Sequence, residues 1–202
     1  DLNNSKNISQ YFKNNIFDIV INCAAYTFVD KAEEERETAN QINHLALSQL
    51  AEIAMDQKTK LIHISSDYVF NGNQANPYKE TDDTDPINFY GLTKLNGEKE
   101  IQKLMPINAI IIRAGWIYSE YGNNFVKTML RLGKEKNNID IVVDQIGSPT
   151  YAKDLANLIL KIITDINYLR KSNPTEIYHF SNQGEVSWYE FAKEIFKMSN
   201  IN

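Results

Sequence analysis

Short apolar runs alternate along the chain with longer segments in which apolar residues recur at helical spacing. The short runs predict five β-strands, at Asp18–Cys23, Lys60–Ser65, Asn108–Arg113, Ile139–Val143 and Glu176–Phe180. Four of these runs are almost continuously apolar, as is typical of strands in a parallel sheet that is covered on both faces. The helical segments between them supply the crossover connections that parallel strands require. The pattern therefore predicts an α/β protein.

The helical periodicity predicts which residues face the sheet. In the helix between the first two strands, the stripe consists of Ile42, Leu45, Ala46, Leu50, Ile53 and Ala54. The acidic run that begins at Glu33 suits the start of that helix. Further helices are predicted at about Tyr90–Met105, around Phe125, Met129 and Leu132, at Lys153–Thr164, and at Ser187–Met198. Ser187 and Glu190 have the spacing of a capping box, so the last helix is expected to begin there.

Composition and charge narrow the possible functions. The chain has 202 residues, and its net charge of -5 gives no general attraction for nucleic acid or for an anionic membrane. Cys23 is the single cysteine, which excludes an internal disulfide, favours a reducing cytoplasm and predicts a buried structural thiol. No apolar run approaches the ~20 residues that span a bilayer, and the first residues lack the apolar stretch of a signal peptide.

Candidate chemistry lies on both sides of the long segment Phe70–Phe89, which is expected to be a functional loop. Ser66 and Asp67 follow a predicted strand, at the strand end where open α/β sheets bind ligands. Tyr90 and Lys94 are four residues apart on a helix, so their side chains share one face. A nearby ammonium favours the phenolate and lowers the pKa of a tyrosine, which predicts a proton-transfer site.

Each of these residues also has a plainer interpretation. A tyrosine and a lysine four residues apart occur on many solvated helices. Asp67 could cap a turn, and Trp116, which follows a strand, could be core packing. The three histidines, His44, His63 and His179, have no metal-ligand spacing, so no metal site is predicted. Asn22 and Asn124 could be turn or cap residues as easily as ligand contacts.

The order of several motifs adds a resemblance that spacing alone does not give. The chain resembles the extended short-chain dehydrogenases and, within them, the family of dTDP-4-dehydrorhamnose reductases. The motifs that carry the resemblance are Val20–Thr27, Val29–Glu33, Ser65–Gly72, Tyr90–Glu98, Arg113–Tyr118, Gly122–Phe125, Asp144–Thr150 and Ser187–Tyr189. The resemblance covers nearly the whole chain.

The resemblance implies roles for individual residues. The catalytic residues would be Ser66, Tyr90 and Lys94. Residues that contact the cofactor would be Asp1, Leu2, Ala24, Ala25, Tyr26, Thr27, Ser65, Tyr90 and Lys94. The substrate would contact Ser66, Asp67, Tyr90 and Trp116. Asn43 matches a helix asparagine that often supports the proton relay of the superfamily. Ser66 stands where these reductases commonly have threonine.

The resemblance also implies a fold and a domain organisation. The expected fold is a Rossmann-like doubly wound parallel sheet that lacks its first βαβ portion, because the glycine-rich turn is absent and ~30 or more residues are expected before Asp1. Residues 1–150 would form the NAD(P)-binding domain. Residues 151–202 would return to the sheet and contribute to a small substrate-binding region, which is expected to continue beyond Asn202.

The implied activity is reduction of the 4-keto group of dTDP-4-dehydro-L-rhamnose by NADPH or NADH, giving dTDP-L-rhamnose. Two alternatives remain open on the same scaffold. One is a sugar-nucleotide epimerase or dehydratase, and the other is a regulatory subunit that binds cofactor without catalysis. The expected partners are the nucleotide sugar and a second copy of the chain in a homodimer, with neither nucleic acid nor membrane.

Overall fold

Four parallel strands form the sheet, in the order Ile19–Asn22, Lys60–Ser65, Ala109–Arg113 and Glu176–His179. The structure is a computed structural model that describes residues 1–201, except for the side chain of Arg170. The strands are β1 (Ile19–Asn22), β2 (Lys60–Ser65), β3 (Ala109–Arg113) and β7 (Glu176–His179). The two central strands, β2 and β3, are buried along nearly their whole length, as their continuous apolar runs predict. The predicted parallel α/β sheet is confirmed.

Helices flank these strands along the chain: one precedes β1, two lie between β1 and β2, one lies between β2 and β3, and one precedes β7. They are α1 (Ser5–Asn14), α2 (Arg36–Asn40), α3 (Ala46–Gln57), α4 (Phe89–Leu104) and α7 (Ile166–Arg170). The apolar side chains that join helices to sheet form one cluster, which contains Ile8, Leu47, Leu50, Ala51, Leu61, Ile101, Met105 and Ile111. This cluster and the sheet belong to the first of two compact units, Asp1–Arg113 together with Ile163–His179.

The helix between β1 and β2 departs from the predicted stripe. A π-helical turn, Gln41–Leu45, separates α2 from α3, and a 3-10 turn at Asp30–Glu33 precedes both helices. A π turn holds more residues than an α turn, so it rotates the following helix relative to the expected face. As a result Leu47 is buried, whereas Leu45, which we expected in the stripe, is 46% exposed.

The second compact unit consists of Ala114–Ile162 together with Phe180–Asn202. Its helices are α5 (Phe125–Glu135), α6 (Ala152–Thr164) and α8 (Trp188–Met198), and its strands are β4 (Ile117–Tyr118), β5 (Ile146–Gly147), β6 (Thr150–Tyr151) and β8 (Val186–Ser187). β4 pairs with β6 in parallel, and β5 pairs with β8 in antiparallel orientation. The predicted capping box at Ser187 and Glu190 is confirmed.

The predicted strand at Ile139–Val143 is wrong. This segment has no strand structure, and Val142 and Val143 are half or more exposed. Only Ile141 of its apolar residues packs on the cluster between α5 and α8. An apolar run becomes a strand only where a neighbouring strand accepts its hydrogen bonds, and here the short strand β5 provides that pairing instead.

The compact units do not divide at residue 150. Their boundaries fall at Arg113, Ile162 and His179, so each unit is built from two stretches of chain. Our assignment of cofactor binding to residues 1–150 and of substrate binding to residues 151–202 stays a prediction about roles. Among the described residues, no helix is both long and apolar enough to cross a membrane.

Candidate active site

Ser66 and Asp67 lie at the carboxyl end of β2, where the strand ends in a 3-10 turn. The Ser66 hydroxyl caps this turn, because its Oγ accepts a hydrogen bond from the backbone N–H of Tyr68 at 3.2 Å. The same hydroxyl donates to Asp67 Oδ1 at 3.0 Å. Ser66 is buried and Asp67 is exposed. The turn therefore presents a fixed hydroxyl beside a carboxylate at the edge of the sheet.

Tyr90 and Lys94 occupy the first turns of α4. The start of this helix is fixed twice, because Asn88 Oδ1 accepts from Gly91 N at 2.8 Å and Glu33 Oε1 accepts from Phe89 N at 2.7 Å. Tyr90 is 9% exposed and Lys94 is 1% exposed. The predicted helix therefore carries both side chains into the interior of the first unit and not onto a solvated face.

Tyr90 is held as a neutral phenol. Burial raises the pKa of Tyr90 to about 12, although a hydrogen bond with Ser66 acts in the opposite direction. We expected the Lys94 ammonium to lower this pKa, but in the structure Lys94 is not among the groups that shift it, and burial prevails. A protonated tyrosine beside a serine hydroxyl suits proton donation more than proton abstraction.

Lys94 has an unusual environment for a buried cation. Its Nζ donates to the carbonyl oxygen of Ile64 at 2.8 Å and lies 3.1 Å from His63 Nε2. Burial lowers the pKa of Lys94 to about 8, while Glu98 and Cys23 act to raise it. Within residues 1–201 no carboxylate forms an ion pair with Lys94. The proton of this lysine is therefore held much more weakly than that of an exposed one.

The loop after β1 contains the predicted cofactor contacts Ala24, Ala25, Tyr26 and Thr27. Asn43 fixes this loop from the π turn, since its Oδ1 accepts from Tyr26 N at 2.8 Å and its Nδ2 donates to Tyr26 O at 3.0 Å. Its Nδ2 also reaches Thr93 Oγ1 at 3.1 Å, one residue before Lys94. The exposed Ala24 and Thr27 thus stand on a rigid backbone at the carboxyl edge of the sheet.

The remaining predicted contacts lie in different surroundings. Asp1 is exposed, and its Oδ1 accepts from Asn3 N at 2.9 Å, whereas Leu2 packs on the main apolar cluster. Ser65 is buried, and its hydroxyl has no hydrogen-bond partner among the described residues. Cys23, which we expected to be buried, is exposed because β1 ends at Asn22.

Trp116 belongs to the second unit, so the structure does not group it with the residues above. Its ring stacks on Trp188 at 3.5 Å between centroids with 9° between the ring planes. Its φ of 51° is in the left-handed region, which a bulky side chain seldom adopts. The stack supports the packing interpretation, and a contact between Trp116 and the substrate stays a prediction.

Sequence reasoning missed the polar residues behind Tyr90 and Lys94. Asn22 and His63 connect to Lys94, and Arg113 forms a buried ion pair with Glu98 at 2.7 Å. The signal was present, because Asn22, His63 and Arg113 are polar residues within apolar strands, and buried polar groups need partners. Asn124, by contrast, has a structural role, because its Oδ1 caps α5 by accepting from Lys127 N and its Nδ2 donates to Ser119 O at 2.7 Å.

The structure also explains the glycine after Tyr90. A Cβ built on Gly91 would lie 2.1 Å from the carbonyl oxygen of Tyr68, so α4 touches the backbone that follows Ser66 and Asp67. We expect Gly91→Ala to lower the free energy of unfolding by about 1–3 kcal/mol through overpacking, although alanine is the better helix former. Urea unfolding measures this decrease in the free energy of unfolding. Gln102→Ala, at an exposed position of the same helix, is the control, and a stabilised Gly91→Ala variant would contradict the close contact.

Among the described residues, no group of three or more His, Cys, Asp or Glu side chains is arranged to hold a metal ion. The hydroxyls of Ser66 and Tyr90 are neighbours, and Lys94 lies one turn further along α4, where its Nζ is bound to Ile64 O of β2. These groups can orient an oxygen atom and donate a proton to it.

Comparison with known proteins identifies the family. The family model described as RmlD substrate binding domain matches residues 1–202. A dTDP-4-dehydrorhamnose reductase of Aggregatibacter actinomycetemcomitans is 44% identical over 178 residues, which are 88% of this chain and 60% of that protein. The dTDP-4-dehydrorhamnose reductase of Escherichia coli (strain K12) is 40% identical over 197 residues, which are 98% of this chain and 65% of that protein. The chain thus spans less than two thirds of either curated relative.

Solved structures agree. The crystal structure of a dTDP-4-dehydrorhamnose reductase from Bacillus anthracis str. Ames in complex with NADP has a TM-score of 0.90 and 43% identity, covering 100% of this chain and 69% of that one. A dTDP-glucose 4,6-dehydratase from Streptomyces venezuelae has a TM-score of 0.84 at 15% identity, which shows a shared fold alone. With a model match along residues 1–202 and relatives at 40–44% identity, the chain belongs to the RmlD substrate binding domain family.

Proposed function

We propose that the protein reduces the 4-keto group of dTDP-4-dehydro-L-rhamnose to give dTDP-L-rhamnose, with NADPH or NADH as the reductant. The observation that carries this proposal is the pairing of a buried, protonated Tyr90 with the hydroxyl of Ser66 at the carboxyl end of β2. Support comes from relatives at 40–44% identity that are named for this activity.

The residues at this edge of the sheet fit a nicotinamide dinucleotide. Small side chains after β1, at Ala24 and Ala25, let a ligand approach the backbone, and Asn43 already holds that backbone in place. Of the three N–H groups of a Lys94 ammonium, one donates to Ile64 O and one faces His63, so the third can bind a polar ligand group. NADP in the Bacillus anthracis relative supports the same ligand class for this chain.

Each side chain then has a specific part in the reduction. The Ser66 hydroxyl turns its single O–H from Asp67 Oδ1 to the carbonyl oxygen of the sugar and orients that oxygen. A reduced nicotinamide, when bound, supplies a hydride to the carbonyl carbon. As negative charge develops on the oxygen, the Tyr90 O–H bond breaks and the proton forms the new hydroxyl of the product. Lys94, in its ammonium form, stabilises the resulting phenolate.

The remaining contacts are part of the same proposal. Asp1, Leu2, Ser65, Tyr26 and Thr27 contribute to cofactor binding, whereas Asp67 and Trp116 contact the sugar nucleotide. These assignments rest on matching positions in the family motifs. We also propose a cytoplasmic location, which the single Cys23 favours, and a homodimer.

A direct assay tests the activity. The protein at its full natural length is mixed with dTDP-4-dehydro-L-rhamnose and either NADPH or NADH, and cofactor oxidation is followed by absorbance. We expect stoichiometric oxidation and formation of dTDP-L-rhamnose. A protein that binds cofactor but oxidises neither form would refute the reductase and favour the regulatory subunit. Net conversion without consumption of reduced cofactor would favour the epimerase or dehydratase.

The identity of the sugar substrate is tested in a parallel assay. A dTDP-4-keto-6-deoxy-D-glucose reductase of Streptomyces niveus is 35% identical over 179 residues of this chain. Presenting dTDP-4-keto-6-deoxy-D-glucose in parallel therefore tests substrate choice within one reaction type. We expect a higher kcat/KM for dTDP-4-dehydro-L-rhamnose, and the opposite order would reassign the sugar while leaving the reductase intact.

A further inference from the structure

A chain of buried polar groups leads from β1 to Lys94. The backbone N–H of Ala24 donates to Asn22 Oδ1 at 3.2 Å, Asn22 Nδ2 lies 3.1 Å from His63 Nδ1, and His63 Nε2 lies 3.1 Å from Lys94 Nζ. Asn22, His63 and Lys94 are each at least nine-tenths buried. The proposed reduction uses neither Asn22 nor His63, so their role is a separate question.

The hydrogen bonds determine which ring nitrogen of His63 carries the proton. A backbone N–H can only donate, so the Asn22 atom that faces Ala24 must be its oxygen. The atom that faces His63 Nδ1 is then the amide nitrogen, which also can only donate. His63 Nδ1 must therefore be the unprotonated acceptor, and the ring of neutral His63 carries its proton on Nε2.

This tautomer restricts the state of Lys94. The Nε2–H of His63 points at Lys94 Nζ, and an ammonium group has no lone pair with which to accept it. Only the neutral amine can accept from His63 while it donates to Ile64 O. The opposite tautomer would accept from an ammonium, but Asn22 would then have to turn its amide and lose the bond from Ala24.

We propose that His63, oriented by Asn22, is a positioning residue that stabilises the amine form of Lys94, so that the lysine exchanges its proton instead of remaining a permanent cation. The tautomer of His63 and the charge of Lys94 change together. The contact is formed by residues of this chain alone, but its importance for catalysis rests on the proposed reductase function.

Other charged groups around Lys94 are consistent with this role. The titratable groups that face it among the described residues are Cys23 after β1, His63 on β2 and Glu98 on its own helix. Glu98 is bound to Arg113 of β3 at 2.7 Å and is therefore not free to hold the ammonium. Burial lowers the pKa of His63 well below its ordinary value and lowers the pKa of Lys94 to about 8, so the His63 ring is neutral at the pH at which Lys94 changes charge.

Nitrogen NMR tests the tautomer without any substrate. Histidine labelled with ¹⁵N is incorporated into the full-length protein, and the His63 signals are assigned by their loss in His63→Gln. At about pH 10, where Lys94 is an amine, we expect a neutral His63 ring protonated on Nε2. As Lys94 gains its proton at lower pH, the ring should move toward the Nδ1-protonated form. Protonation on Nδ1 at every pH would overturn the proposal.

Asn22→Asp tests the coupling in the opposite direction. A carboxylate still accepts from Ala24, but it demands a proton on His63 Nδ1, which turns Nε2 into an acceptor for the Lys94 ammonium. We expect the Nδ1-protonated ring throughout the titration. The alkaline limb of the kcat/KM profile should move up by about one pH unit or more, because the ammonium is stabilised.

Asn138→Asp makes the same chemical change at an exposed position and is expected to leave both the tautomer and the profile unchanged. If Asn22→Asp loses activity equally at every pH and the alkaline limb of its kcat/KM profile does not move, the role of Asn22 is merely structural and the proposal is overturned. If Asn22→Asp does not fold, the wild-type tautomer titration decides alone. An inactive wild type with the expected titration would refute the reductase and not this pairing.

Discussion

Replacing Tyr90 by phenylalanine should lower kcat by about 10²- to 10⁴-fold and leave KM nearly unchanged. The phenol is the proton donor in the proposed reduction, and its raised pKa of about 12 keeps that proton in place throughout the neutral range. The ring itself remains buried in the variant, so substrate and cofactor binding should persist. Steady-state oxidation of NADPH or NADH with the sugar nucleotide measures the effect.

Tyr11→Phe is the matched control, because it removes the same hydroxyl from an exposed position on α1. It should keep the wild-type kcat. A folded Tyr90→Phe variant that retains more than about a tenth of the wild-type kcat would show that another group donates the proton. The hydroxyl of Ser66 would then be the first candidate, because it is a neighbour of Tyr90 that acts on its pKa.

Glu98→Leu should reduce the free energy of unfolding by about 3–5 kcal/mol. Glu98 and Arg113 form an ion pair whose side chains are 1% and 4% exposed, and the Arg113 guanidinium also lies 5.0 Å from the centre of the Phe70 ring. Removing the carboxylate leaves a buried cation with no counter-charge from Glu98. Urea unfolding followed by two spectroscopic probes measures the loss and checks that unfolding remains two-state.

The double variant Glu98→Leu/Arg113→Met separates pairing from packing. Replacing both charges by apolar groups of similar size should recover most of the lost stability, because buried ion pairs contribute little more than their apolar equivalents. Glu135→Leu, which breaks the exposed pair with Arg131, should change stability little. A double variant no more stable than Glu98→Leu would show that Arg113 has a role beyond the ion pair.

The sheet was predictable because its signals are local. The apolar runs of β2 and β3 can be satisfied only in a buried parallel strand, and Ser187 with Glu190 caps α8 through neighbouring residues. The strand expected at Ile139–Val143 failed, since strand formation depends on a pairing partner that no local pattern reveals. Likewise, nothing in the periodicity of the helix before β2 indicated the π turn at Gln41–Leu45.

The candidate site also has features that the sequence predicts and features that it does not. Tyr90 and Lys94 could be placed on one helix by their spacing, and Ser66 at a strand end by the run before it. Their protonation states could not be predicted, because they depend on burial and on residues distant in sequence. We expected Lys94 to dominate the pKa of Tyr90, and the structure shows that burial does.

The sequence by itself determined the α/β class, the central strands, the helix that carries Tyr90 and Lys94, and the motifs of the family, because each depends on neighbouring residues or on residue identity. Only the tertiary structure decided that Asn22, His63 and Lys94 form one buried chain and that Glu98 pairs with Arg113. These contacts join residues 15 to 41 positions apart, which meet only when the strands and α4 pack together.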